Sequence, residues 1–219
     1  MEWPTISVVV LNFNGKQHLE DCFTSLLALD YPADKCEVML VDNASSDNSV
    51  ALMRDRFPAV KIVQNSDNLG FAAGNNRGAQ AARGDYVVFL NNDTRVDPQW
   101  LRELVRPCLA DTEVVCTASK MLAWDGSKVD FVSSAMNFHG FAFQPDYATR
   151  DVYDQAHSLL FACGGAMLIR RAVFLELGGF DEDYFIYFED VDLGWRLWLS
   201  GYQVLFVPTA IVYHRLHAT

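Results

Sequence analysis

Between Ile6 and Leu90 the chain alternates short apolar runs with segments of helical spacing, and this alternation constrains its fold more than any other feature. Ile6–Leu11 is a β-branched run suited to a strand buried on both faces. Lys16–Leu29 follows, with Leu19, Cys22, Phe23, Leu26 and Leu27 on one helical face. Val38–Val41 forms a second buried run ending at Asp42, and Ser45 or Ser46 can cap a helix carrying Val50, Met53 and Phe57. Val60–Val63 is a shorter strand, Gly70–Ala82 a helix of small residues, and Tyr86–Leu90 a strand running into Asn91-Asn92-Asp93. Pro98 opens a further helix at the favoured first position. This order predicts an α/β fold, with a Rossmann-like, mostly parallel central sheet and helices on both faces.

In such sheets ligands bind beyond the carboxyl ends of the strands. Those ends carry Asn12-Phe13-Asn14-Gly15, Asp42-Asn43, Asn65 to Asn68, and Asn91-Asn92-Asp93. Tight-turn chemistry accounts for part of this enrichment. Asp42 can accept hydrogen bonds from a base or a ribose, or serve equally as a turn acid. In the stretch NSDNLGFAAGNN, Gly70 and Gly74 permit close backbone approach, and the helix N-terminus there can face a phosphate. The same pattern suits a loop followed by a tightly packed helix. Asp93 is placed to hold Mg²⁺ or Mn²⁺ through oxygen, with a bound diphosphate supplying further ligands. His214, at the end of the last apparent strand, is a candidate metal ligand, phosphate donor or ordinary surface histidine.

The second half is less regular. Val114–Ala118 suits a strand, and the aromatic, polar stretch from Trp124 to Gln155 suits a loop or small hairpins over a site. Phe161–Arg170 is an apolar run containing Gly164-Gly165, and Arg171–Leu177 is a short helix stopped by Gly178-Gly179. Val191–Ser200 is helical, and Val204–Val207 and Ile211–Tyr213 are closing strands. At the start of that helix, in YFEDVDLGWR, stand Glu189, Asp190 and Asp192. A carboxylate at the lip of a pocket can take a proton from a substrate hydroxyl. Acids also gather at helix N-termini for electrostatic reasons alone.

The formal net charge of −11 and the pI of about 4.7 argue against nucleic acid as the main partner and against docking on anionic lipid. The five cysteines are scattered and form no CxxC pair, which points to a reducing compartment. No basic, apolar leader is visible, and no apolar run approaches the ~18 residues that a membrane span needs. Neither GxGxxG nor GxxxxGK[ST] occurs, and no HExxH or Cys/His cluster suggests zinc. The end at Thr219, straight after an apparent strand, suggests a domain cut from a longer protein.

Taken together, SVVVLNFNG, VDNASSDNS, NLGFAAGNN, FLNNDT, GGAMLIRR, GGFDEDYFIYFEDVDLGWR and a final strand ending in His resemble the family-two, inverting nucleotide-sugar glycosyltransferases of GT-A fold. The resemblance covers nearly the whole chain and is strongest to bacterial rhamnosyltransferase-type members that build surface polysaccharides. It implies one GT-A domain over 1–219, with a nucleotide-binding half to about residue 118 and an acceptor-binding, catalytic half from about 119. It implies that Asp190 is the general base with Glu189 beside it, and that Asp93 ligates the divalent metal with His214 near it. Asn12, Asn14, Asp42, Asn43, Asn68, Gly70, Phe71, Asn75 and Asn92 would line the nucleotide and diphosphate pocket. Gly164 and Gly165 would border donor sugar and acceptor, and Asp192 is assigned to helix-end hydrogen bonding. The implied partners are a UDP- or dTDP-sugar and a glycan or lipid-linked acceptor, met in the cytoplasm or at the inner face of the membrane. One departure stands out: the family's frequent Asp-x-Asp is Asn91-Asn92-Asp93 here, one formal charge short. Two other readings are a non-catalytic nucleotide-sugar-binding module and a sugar-nucleotide pyrophosphorylase. The second would need a Gly-rich loop with Arg and Lys after the first strand, where this chain has Asn-Phe-Asn-Gly-Lys.

Overall fold

The computed structural model describes residues 2–137, 139, 142–143 and 153–215. The first half runs β1 (Ile6–Asn12), α1 (Lys16–Leu27), β2 (Cys36–Asp42), α2 (Ser49–Arg56), β3 (Lys61–Gln64), α3 (Gly70–Ala81), β4 (Tyr86–Asn91), β5 (Thr94–Val96) and α4 (Trp100–Ala110). The second half runs β6 (Val114–Ala123), β7 (Val129–Phe131), β8 (Ala135–Met136), β9 (Ala142–Phe143), β10 (His157–Leu159), β11 (Ala166–Arg170), α5 (Arg171–Glu176), α6 (Glu189–Leu199) and β12 (Gln203–His214).

The central sheet has the order β10-β12-β6-β11-β4-β1-β2-β3. Strands β3, β2, β1 and β4 are mutually parallel, as the strand–helix alternation predicts. The second half mixes directions. Strand β11 enters antiparallel between β4 and β6, β12 runs parallel to β6, and β10 closes the edge antiparallel. Strands β5 and β7 add antiparallel pairs to β12 and β6.

Register shows that helices cover both faces. Val9 pairs with Phe89, so their side chains share a face. Gly78 of α3 packs on Val9, and Phe174 of α5 stacks on Phe89 at 5.0 Å. Thr117, Leu168, Val88 and Val8 line the opposite face through successive pairings. There Thr117 Oγ1 donates to the Leu104 carbonyl of α4 at 2.9 Å. Strands buried on both sides account for the near-continuous apolar runs of β1 and β4.

Several local expectations change. Neither Ser45 nor Ser46 caps α2: its N-cap is Asn48, in a left-handed conformation, with no side-chain cap. Pro98 precedes the helix rather than opening it, because Asp97 forms a turn in which its carbonyl accepts from the Trp100 N–H. The two closing strands are one strand, β12, whose register shifts between Val207 and Ile211. Pro208 lies within that shift and has no N–H to donate. Of the stretch from Trp124 to Gln155, the described part holds β7 and the β8–β9 hairpin. The rest of that stretch lies outside the described residues.

Candidate active site

The carboxyl ends of β1, β2 and β4 finish level, because Asn12 pairs with Asp42 and Leu11 with Asn91. Their polar side chains then bond to one another. Asn12 Nδ2 donates to Asp42 Oδ1 and to Ser45 Oγ, each at 3.0 Å, and Asn12 Oδ1 accepts from Asn92 Nδ2 at 2.7 Å. Asp42 Oδ2 accepts from the Ser45 N–H at 2.9 Å, and the residue is only 1% exposed. Asn14, at positive φ, donates its N–H to Ser45 Oγ and accepts from the Ser46 N–H. Ser45 and Ser46 therefore tie the first loop to the second. The Asp42 carboxylate faces these loops, and both of its oxygens are engaged by the chain itself.

A second set joins β2 to α3. Asn43 Nδ2 donates to Asn68 Oδ1 and to the Gly70 carbonyl, and its Oδ1 accepts from Asn65 Nδ2. Gly70 has φ +80°, and a Cβ there would lie 2.5 Å from the Phe185 carbonyl oxygen. The Phe71 N–H donates to that same carbonyl at 2.6 Å. The close approach at Gly70 is thus made by the chain's own Phe185, which covers the start of α3. Gly74 gives room to Leu11 and Asn43, and Asn75 Nδ2 turns back to the Phe71 carbonyl.

Asp93, at the β4–β5 turn, is 2% exposed, and its Oδ1 is buried with no hydrogen-bond partner. His214 Nε2 lies 3.2 Å from that oxygen, near enough for a charge contact but not aligned as a hydrogen bond. On the other side of the ring, His214 Nδ1 and Asp130 Oδ2 are 2.7 Å apart. Burial alone would lower the His214 pKa, yet the hydrogen bond with Asp130, and then Asp93, raise it to about 9. Among the described residues no three His, Cys, Asp or Glu side chains converge on one cation position. Asp93 and His214 offer one carboxylate and one imidazole.

The acids of YFEDVDLGWR all lie in the first turn of α6. Tyr187 and Phe188 lead into it with φ of 71° and 70°, an uncommon conformation for bulky residues. Asp190 Oδ2 accepts from the Gly164 N–H at 2.9 Å, and Oδ1 accepts from the Val191 N–H at 2.8 Å. Burial raises the Asp190 pKa, and these N–H groups oppose it. Glu189 is 4% exposed with Oε2 unpartnered; burial first, and then Asp190, raise its pKa to about 7. Asp192 differs from expectation. It forms an ion pair with Arg196 one turn along, at 2.6 Å, and does not bond a helix-end N–H.

The Gly164–Gly165 turn joins the two acidic clusters. Gly164 holds Asp190, the Gly165 carbonyl accepts from the Asn91 N–H at 2.9 Å, and Asn91 stands two residues before Asp93. Cys163, next in the chain, is pushed up by burial and then by the charge of Asp190, with Asp130 and Glu189 adding. Asp190 and Asp93, distant in sequence, are therefore brought to one edge of the sheet. Asp130 and Phe185 were missed by sequence reasoning. Asp130 sits in the stretch of weak periodicity, where only the buried–polar–buried pattern of Val129, Asp130 and Phe131 hinted at a strand. Phe185 makes its contact through a backbone carbonyl, which residue type does not reveal.

Comparison with known proteins decides the family. The profile described as "Glycosyl transferase family 2" matches residues 7–178. The chain belongs to glycosyl transferase family 2. A second profile, "N-terminal domain of galactosyltransferase", matches residues 153–218. This family-2 glycosyltransferase is 28% identical over 240 residues to N-acetylglucosaminyl-diphospho-decaprenol L-rhamnosyltransferase of Mycobacterium tuberculosis, a match covering 98% of the chain and 77% of the relative. It is 30% identical over 224 residues to the O-antigen biosynthesis protein RfbC of Myxococcus xanthus, covering 96% of the chain but 17% of that relative. The solved structure of GalNAc-T7 with UDP, GalNAc and Mn²⁺ superposes with a TM-score of 0.79 at 22% identity. That match covers 98% of the chain and 44% of the solved one, and the shared architecture is the GT-A fold.

Proposed function

We propose that this glycosyltransferase moves a sugar, with inversion, from a UDP- or dTDP-sugar to a hydroxyl of a glycan or lipid-linked acceptor in surface polysaccharide synthesis. The observation that carries the reading is the junction of Asp190 to Asn91 through the Gly164–Gly165 turn, which ties the proposed base to the strand end that carries Asp93, whose buried Oδ1 has no aligned hydrogen-bond donor. The half ending near residue 118 would hold the nucleotide, and the remainder the acceptor and the base. The Asn12–Asp42–Asn92 and Asn43–Asn68 networks support a rigid rim for the nucleotide, with Asn14, Gly70, Phe71 and Asn75 bordering it. The exposed run Phe185 to Phe188 next to α6, with Tyr187 at 70%, suits an acceptor that has an apolar portion, met at the inner face of a membrane. The decaprenol-linked substrate in the mycobacterial relative's name supports the same acceptor class. No helix among the described residues is long and apolar enough to cross a membrane.

The chemistry follows from the two clusters. Asp190 takes the proton of the acceptor hydroxyl as its oxygen attacks the anomeric carbon, and the carbon–oxygen bond to the diphosphate breaks on the opposite side. Burial strengthens Asp190 as a base, while the Gly164 and Val191 N–H groups fix its direction. The fit to Mg²⁺ or Mn²⁺ rests on Asp93 Oδ1, a buried oxygen with no aligned hydrogen-bond donor, and on His214, whose Nε2 lies 3.2 Å from it. Those two residues would hold the ion, and diphosphate oxygens would complete its ligands in place of the absent second Asp. When bound, the ion would supply charge neutralisation for the departing diphosphate.

Asp190→Asn tests the reading. Transfer is expected to vanish while donor binding, measured by calorimetry, stays near that of the unaltered protein. Normal turnover in that variant removes Asp190 as the base. Retention rather than inversion in the product, read by NMR of the new linkage, removes the single-base mechanism.

A further inference from the structure

We infer that Asp130 is a positioning residue for His214, gripping one ring nitrogen so that the other is presented to Asp93 and to the ion proposed there. The inference rests on the metal reading above and extends it to a residue outside the family motifs quoted from the sequence.

Strand geometry supports it. Strands β7 and β12 both pair with β6 at the same level, since Leu122 is opposite Val129 on one side and Tyr213 on the other. Between Met121 and Leu122 the register of β7 slips: Met121 is opposite Phe131 and Leu122 opposite Val129. Asp130 is the extra residue of that bulge. A bulge leaves its extra residue out of the ladder and re-aims its side chain, a device common beside active sites. Here the re-aimed carboxylate comes to 2.7 Å from His214 Nδ1, while Nε2 of the same ring stands 3.2 Å from Asp93 Oδ1. Val129 and Phe131 on either side are buried, so the bulge is anchored by the core. A carboxylate on the far nitrogen fixes both ring orientation and the proton-bearing nitrogen of a metal-binding histidine.

The test uses Mn²⁺ with saturating UDP, read by calorimetry and by the nitrogen modulation that a coordinated imidazole imprints on the Mn²⁺ electron spin echo. The unaltered protein is expected to show the modulation and His214→Ala to lack it. Asp130→Asn is expected to bind Mn²⁺ roughly 10–100-fold more weakly and to show a diminished modulation. Asp130→Glu keeps the charge but lengthens the reach, and is expected to fall between the two. Affinity and modulation equal to those of the unaltered protein, in whichever variant folds, overturn the inference. Absence of nitrogen modulation in the unaltered protein overturns the metal reading on which it rests.

Discussion

The backbone N–H of Gly164 donates to Asp190 Oδ2 at 2.9 Å, so the turn before β11 aims the carboxylate at the head of α6. A Cβ on Gly164 would lie 3.1 Å from the Phe71 ring and 3.6 Å from Asp190 Cβ. Gly164→Ala therefore presses on the Phe71 ring, while Asp190 Cβ lies at ordinary contact distance. The expected result is a stability loss of about 1 kcal/mol, typical of mild overpacking, with a fall in kcat and little change in donor KM. Urea unfolding and steady-state kinetics check it, and a donor KM that rises while kcat holds would place Gly164 with the donor instead.

Glu189 carries a pH signature. Its folded pKa of about 7 lies above the ordinary carboxylate value of 4.5. Between those values the folded state holds a proton that the unfolded state has released, so stability falls as pH rises through this window. Glu189→Gln removes the titration. Its melting temperature, relative to the unaltered protein, is expected to increase from pH 4.5 to pH 8. Parallel melting curves across that range would show that Glu189 ionises freely.

His214 titrates in the next window. Its pKa is raised from 6.5 to about 9, so the stabilisation from its proton is complete below pH 6.5 and lost as pH rises through 9. The protein without added metal is expected to lose stability over that range, and His214→Ala to lose less. Mn²⁺ competes with the proton on Nε2, so its affinity is expected to increase with pH up to about 9. Calorimetry at pH 6.5, 7.5 and 8.5 checks the trend; a flat profile would take His214 out of the ligand set.

The first half of the fold was legible because its strands are local, parallel and buried on both faces, leaving clear apolar runs with polar ends. Asp93 and Asp190 were legible as residue types at strand and helix ends. What could not be seen was the pairing that joins distant segments. Antiparallel β11 between β4 and β6 carries no local signal, and neither does the register slip that turns Asp130 toward His214. Phe185 over Gly70 was hidden for the same reason: the contact is made by backbone, and any residue could make it.

Asn12 offers the sharpest test of the rim at the strand ends. It donates to Asp42 and Ser45 and accepts from Asn92, and it is buried. Asn12→Ala removes these partners together, leaving Asp42 Oδ1 and Asn92 Nδ2 with lost bonds in a setting that water does not reach. An unpaired buried polar group costs about 1–3 kcal/mol, and more when charged, so a loss of about 3 kcal/mol is expected by chemical denaturation. Asn12→Asp would keep the size but set a second carboxylate against Asp42, and is expected to cost at least as much near neutral pH. That excess should shrink below pH 4, where carboxylates take up protons. A loss under about 1 kcal/mol in Asn12→Ala would mean that Asp42 finds its donors elsewhere, and that the rim is built on Ser45 rather than Asn12.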